Sequence, residues 1–249
     1  MTSRRGRPGK AFLAAVAATF LVPAGVASAA GLPTGARVDG LVRYFDVIVF
    51  GSEYGKKLAQ KVIAKWDQPS RIAFQGRVRP DYRRFVASHL KTLSGLTGLT
   101  FQVLKPGQKG QNMDLVFVPR ARMEKIVIPG VDPGLIAKLA APGGCYFLSV
   151  KKPESRIIRA IIVINSERDK FGINHCLLEE ISQSLGLPND SDLMRPSLFS
   201  DRDQLTEPSR TDKILLKALY HPRMKAGLTR TEALRVARKI IAELDYVLP

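Results

Sequence analysis

Apolar side chains recur along this chain in two periods, and the switches between them outline its elements. After Pro80, the residues Tyr82, Phe85, Val86, Leu90 and Leu93 fall three or four positions apart, which predicts a helix with one buried stripe. His89 shares that stripe and reads as a packed histidine rather than a ligand. The same spacing marks Leu215, Leu216, Leu219 and Tyr220 in one helix, and Leu234, Ala237, Ile241 and Leu244 in a last helix that Thr229 and Glu232 open at capping-box spacing. Leu58, Val62 and Ile63, set against Lys56, Lys57, Lys61 and Lys65, predict a helix over Glu53–Trp66, with Trp66 as a core or domain-boundary anchor. Leu135–Ala140 reads as a short helix. Strands are expected over Arg71–Gly76, Thr100–Leu104, Asp114–Val118 and Cys145–Val150, and the near-continuous apolar run Ile157–Ile164 has the look of a strand buried on both faces. Gly31–Arg37 reads as a flexible arm and Val38–Phe50 as an apolar stretch closed by Gly51.

This order of elements predicts an α+β fold, a mixed twisted sheet with helices packed on it. The expected layout is a leader over 1–30, an N-terminal arm and helix over 31–70, an α/β core over 71–200 and a C-terminal helical subdomain over 201–249. No internal repeat is visible, and the Pro106–Gly110 loop lacks phosphate-loop spacing, so it reads as a turn.

The leader follows from local chemistry. Arg4, Arg5, Arg7 and Lys10 precede the apolar run Ala11–Val22, which breaks at Pro23 and gives way to Ala27, Ser28, Ala29 and Ala30. That is the three-part pattern of a secretory signal peptide, with cleavage expected after Ala29 or Ala30. An uncleaved anchor is the alternative, although the run falls short of the roughly 20 apolar residues a spanning helix needs. The expected location is therefore the periplasm or the exterior, with no membrane span once the leader is removed. Mean hydropathy of -0.03 fits a soluble globular chain.

Charge narrows the partners. Lys and Arg number 39 against 22 Asp and Glu, a net +17, and the four basic residues of the acid-free leader account for 4 of these, leaving +13. Export removes nucleic acid as the physiological partner and points to an anionic envelope component or a protein partner, unless the charge serves solubility alone. The two cysteines, Cys145 and Cys176, can pair in an oxidising compartment or sit as two small buried residues.

The candidate chemistry lies in residues 175–196, H-C-L-L-E-E-I-S-Q-S-L-G-L-P-N-D-S-D-L-M-R-P. On a helix, Leu177, Leu178, Ile181 and Leu185 share one face, and Glu179 and Gln183 lie one turn apart on the other, with Glu180 beside them. Gly186 suits the helix C-terminus, after which Asn189 and Asp190 can return toward the polar face. His175 reads as a solvent-facing residue at the helix start.

This frame resembles H-E-x-x-H-x-x-G-x-x-H with a following methionine turn, the signature of the metzincin branch of the zincin metallopeptidases and most of all its matrixin-like form. The resemblance implies a zincin-like fold. It puts Glu179, Gln183 and Asn189 at the three zinc-ligand positions, Glu180 at the general base, Gly186 at the turn glycine and Met194-Arg195-Pro196 at the methionine turn. The departures matter as much. One carboxylate and two neutral amides replace three imidazoles, a poor set for zinc and a better one for a harder divalent cation such as calcium or magnesium with help from Asp190 or Asp192. No cofactor is therefore expected, and without a Lewis acid Glu180 has no water of lowered pKa to deprotonate.

The wider sequence is similar to an uncharacterised bacterial envelope family catalogued as domain of unknown function 2927. The similarity rests on Trp66, the two cysteines, the run Cys176–Gln183, the run Leu185–Asp190, and the tail from Leu219-Tyr220 through Gly227-Leu228-Thr229 to Glu232-Ala233. Several members are described as lipoproteins, whereas no lipid-acceptor cysteine stands near the cleavage site here. Two functions stay open: an exported zincin-like domain without zinc peptidase chemistry that serves as an envelope binding or assembly factor, or a hydrolase, a peptidase with an atypical metal site, using Glu180 as base.

Overall fold

The computed structural model describes residues 34–52, 59–153 and 155–248. The expected leader, residues 31–33 of the arm and the first half of the expected Glu53–Trp66 helix lie outside them.

Helix α1 (Thr34–Phe50) opens the described chain. Its buried positions Val38, Leu41, Val42, Phe45, Ile48 and Val49 recur at helical spacing, so the arm is already helical from Thr34 and the apolar stretch is one face of α1. No helix forms over residues 59–66, contrary to the reading of their lysines and apolar residues. There the backbone is extended: Val62 bridges Thr229, Lys65 bridges Arg156, and the Ile63 amide donates to the Leu228 carbonyl at 2.9 Å. Backbone partners supplied by distant segments outweigh local helical spacing. Trp66 is buried as expected, its indole N–H donating to the Ser184 carbonyl at 3.0 Å.

Strand β1 (Ser70–Gly76), helix α2 (Pro80–Thr97), strands β2 (Phe101–Val103) and β3 (Met113–Val118), helices α3 (Arg120–Met123) and α4 (Pro133–Ala140), strands β4 (Cys145–Lys151) and β5 (Ile157–Asn165), and helices α5 (Lys170–Ser184), α6 (Arg210–Tyr220) and α7 (Arg230–Val247) follow. They form a mixed α+β fold on a five-stranded sheet of order β2-β1-β3-β5-β4. All neighbours run parallel except β4, which lies antiparallel on β5 and forms one edge. The register places Gly76, Phe117, Ile164 and Cys145 in one row across the sheet, so the loops after β1, β3 and β5 and the approach to β4 meet at the same end.

The sheet divides two cores. On one face Ile72, Leu115, Phe117, Ile162 and Ile164 join α1, α2, α5, α6 and α7 in the main core. On the other, Val116, Ile161, Val163 and Tyr146 are covered by Met123 of α3, Ile128, and Ile136 and Leu139 of α4. Helices α6 and α7 start with complete capping boxes, Ser209 with Asp212 and Thr229 with Glu232, which satisfy amide donors that a helix start leaves unpaired. Helix α7 is fastened to α1 through Arg37 with buried Asp245 at 2.6 Å, Arg230 with Asp46 at 2.6 Å, and Arg238 with Asp39. Among the described residues, no helix is long and apolar enough to cross a membrane.

Candidate functional site

Helix α5 carries the sequence motif and sits where the sheet edge meets the main core. Asp169 caps it by accepting from the Gly172 amide at 2.7 Å, six residues before His175, where the motif alone would start the helix. His175 therefore lies in the second turn, 6% exposed, not at a solvated end. Ile173, Leu177, Leu178 and Ile181 face the core. His175, Glu179 and Gln183 are spaced four apart and fall on one stripe with Glu180 beside it. That stripe is no solvated face: it lines a cleft of about 470 Å³ whose opposite wall is β4, from Cys145 to Ser149. Leu135 and Leu139 of α4 close one side, and Asp190, Asp201 and Asp203 contribute from the loops after α5.

The walls are tied covalently. Cys145 at the start of β4 and Cys176 in α5 form the disulfide, with Cα atoms 6.0 Å apart, and the guanidinium of Arg168 lies 3.5 Å from Cys176 Sγ. At the other end Gln60 bridges three elements. Its amide N–H group donates to the Val49 carbonyl at 2.7 Å and the Gly186 carbonyl at 3.3 Å, and its oxygen accepts from Lys151 Nζ at 2.7 Å.

Within the cleft the motif residues pair with one another. His175 Nε2 is 3.2 Å from Glu179 Oε2, and Nδ1 is 2.9 Å from the Leu205 carbonyl. Both partners are acceptors, so both ring nitrogens can donate only as imidazolium. Burial pulls the His175 pKa down, but the hydrogen bond and charge of Glu179 and the Leu205 carbonyl outweigh it, and the net shift is upward. Gln183 Nε2 donates to Asp190 Oδ1 at 2.5 Å, so the chain after α5 does fold back over the polar stripe, through Asp190.

Asn189 takes a different path. Its amide N–H group donates to the Val47 carbonyl at 3.1 Å, which also accepts from the Gly51 amide at 2.9 Å, and its backbone N–H donates to the Ile48 carbonyl at 3.2 Å, in the last turn of α1. Gly51 makes the room, since a Cβ there would fall 2.4 Å from Asn189 Nδ2. Asp192 turns to Ser200, whose hydroxyl donates to it at 2.7 Å, and to Arg202 at 2.8 Å. Gly186 has φ +116°, and a Cβ on it would fall 2.1 Å from the Ala64 carbonyl oxygen, so both backbone and space demand glycine. Met194 packs against the main core. The loop around it hangs on a buried relay: Tyr44 Oη donates to Ser197 Oγ at 2.8 Å, and Ser197 Oγ donates to Asp212 Oδ1 at 2.6 Å. Burial raises the Asp212 pKa against the pull of these donors.

The donors present do not fit zinc. Of the three ligand-equivalent residues, Glu179 and Gln183 line the cleft, and Asn189 is fastened to α1. Cys145 Sγ, Glu179 and Glu180 offer atoms within 4.8 Å of one another, but that sulfur is disulfide-bonded and has no thiolate to give. Sequence reasoning missed Gln60, Ser149, Lys151 and Arg168 in this site. Gln60 and Lys151 are brought in by non-local packing, and Arg168, just before the Asp169 cap, had only the true helix start as a signal.

The family described as "Protein of unknown function (DUF2927)" matches residues 39–239. No curated protein matches the chain.

Proposed function

The chain belongs to the DUF2927 family of unknown function, and from that premise we propose that it is an exported binding domain on a zincin-type frame that works without zinc peptidase chemistry. Its occupant is an extended polypeptide segment laid along β4. The observation that carries this reading is the pairing inside the cleft. His175 is engaged by Glu179, and Gln183 by Asp190, while the wall they face is a sheet edge. A sheet edge carries backbone donors and acceptors that an added strand can take up, with side-chain pockets setting specificity. The spacing of Glu179, Glu180, Gln183 and Gly186, and an antiparallel edge strand facing the motif helix, support the zincin-type frame. The basic and apolar leader supports export. In the envelope such a domain acts as a binding or assembly factor.

A displayed library of unstructured decapeptides tests the reading. Selected peptides are expected to bind the wild type and Glu180→Gln alike and to lose binding to Ser149→Arg, which fills the cleft from β4. Equal binding to Ser149→Arg overturns it. The second reading, a hydrolase with Glu180 as base, draws on the burial of Glu180 beside Glu179 at the cleft. Stoichiometric zinc in the purified protein together with peptide cleavage abolished by Glu180→Gln would establish it instead.

A further inference from the structure

Because β1, β3 and β5 run parallel in register, the segments that leave their C-terminal ends form one rim of the molecule. Residues 77–84, 119–125 and 166–171 make up that rim and hold nine Arg and Lys against four Asp and Glu. The acids are largely occupied. Asp81 is buried between Arg79 and Lys170, Asp169 caps α5, and Glu167 accepts from the Arg120 amide at 3.0 Å. Apart from Arg79 and Lys170, which share Asp81, the cations are not. Among the described residues, the arginines without a carboxylate partner are Arg77, Arg83, Arg84, Arg120, Arg122 and Arg168 on the rim and only Arg43, Arg71 and Arg235 elsewhere. Helices α2 and α5, of 18 and 15 residues, also start at this rim and add the positive ends of their dipoles. The Arg83 guanidinium is laid over the Phe74 ring, 4.5 Å from its centroid.

One aromatic stands out of the same surface. Phe171, in the first turn of α5 directly after Lys170, is 51% exposed, whereas the other phenylalanines of the described chain are buried or half-buried.

We propose that this rim docks on the surface of an anionic phospholipid bilayer, its unpaired arginines taking lipid phosphates and Phe171 entering the interfacial layer. Guanidinium groups match phosphate oxygens in pairs, and basic residues beside an exposed aromatic are what a charged interface with an apolar interior accepts. A soluble polyanion would use the charge and leave Phe171 without a role, which is why the bilayer is the better match. The inference is independent of what the cleft binds. It has a geometric consequence: Gly144, Cys145 and Arg168 line the cleft at this same end, so docking turns that mouth of the cleft toward the lipid.

Flotation of the full chain with vesicles of phosphatidylcholine alone, or with 30 mol% phosphatidylglycerol (about one lipid in three), tests the proposal in low and moderate salt. An apolar leader adds to both vesicle types alike, and its charge is common to every variant, so comparison between variants isolates the rim. The triple variant Arg77→Gln, Arg84→Gln, Arg122→Gln is expected to lose affinity for the phosphatidylglycerol vesicles on the order of a hundredfold. The charge-matched control Arg43→Gln, Arg235→Gln, Lys239→Gln, placed on α1 and α7, is expected to lose less than about threefold. Phe171→Ser is expected to weaken vesicle binding severalfold and to leave binding of a 12-residue oligothymidylate unchanged, all variants keeping the wild-type melting curve. Equal losses for the two triple variants, or Phe171→Ser without effect on vesicles, would overturn the proposal.

Discussion

The two faces of the sheet are built to different depths. One is covered by α1, α2, α5, α6 and α7 in a single continuous core, with Tyr44, Phe45 and Trp66 fully enclosed. The other is covered by the short α3 and α4 and the loop between them, and its cluster is small. The cleft opens where the two meet, with α5 from the deep side, Leu135 and Leu139 from the shallow side, and the β4 edge between. The difference teaches that the polar stripe of α5 is held rigid from behind, whereas the wall contributed by α4 rests on few enclosed side chains. Adaptation to the proposed occupant is therefore expected on the shallow side.

The largest effects should come from the deep face. Trp66→Ala removes a fully enclosed ring and its bond to the Ser184 carbonyl, and should cost about 4 kcal/mol of stability by urea unfolding. Removing the disulfide with Cys145→Ala and Cys176→Ala frees a loop of 31 residues and should cost about 3–4 kcal/mol. Gly186→Ala should cost about 3 kcal/mol, because the new Cβ meets the Ala64 carbonyl and φ is positive. On the shallow face Ile136→Ala should cost only about 2 kcal/mol, against about 4 kcal/mol for Ile181→Ala in α5. Equal losses for these two isoleucines would erase the comparison.

The smallest effect is a pH dependence. His175 has a raised pKa in the folded state, so its contribution is fully present below its ordinary value of 6.5 and is lost as the pH rises through the folded value. Thermal melting of the wild type should therefore fall between mildly acidic and mildly alkaline pH by more than that of His175→Gln. Parallel profiles would show that the imidazolium does not hold Glu179 and the Leu205 carbonyl.

Legibility in the sequence followed locality. The strands after residue 70 and helices α2, α4, α6 and α7 were visible because their own apolar spacing decides them. Helix α1 was not, since Val42, Val47, Ile48 and Val49 are β-branched and blur a helical stripe into an apolar run. The 59–66 segment misled because its backbone partners come from Leu228, Thr229 and Arg156, far along the chain. In the site, spacing alone brought Glu179, Glu180 and Gln183 to one stripe, and the return of Asp190 was readable from Gly186, whereas His175 was misplaced at a solvated end because the helix start at Lys170 was not visible. The turn of Asn189 toward α1 was not readable, because it depends on the Val47 and Ile48 carbonyls at the distant end of α1 and the space left by Gly51.

The bond between Cys145 and Cys176 also governs how copies of this chain can associate. An edge strand pairs on one side only and is the natural element for two molecules to trade. Here its first residue is stapled to the helix behind it, so β4 cannot peel off alone and enter a neighbour's sheet while the staple is closed. Oxidation thus keeps the open side of that strand in place, as the proposed docking of a chain there requires, and forbids the strand itself from travelling.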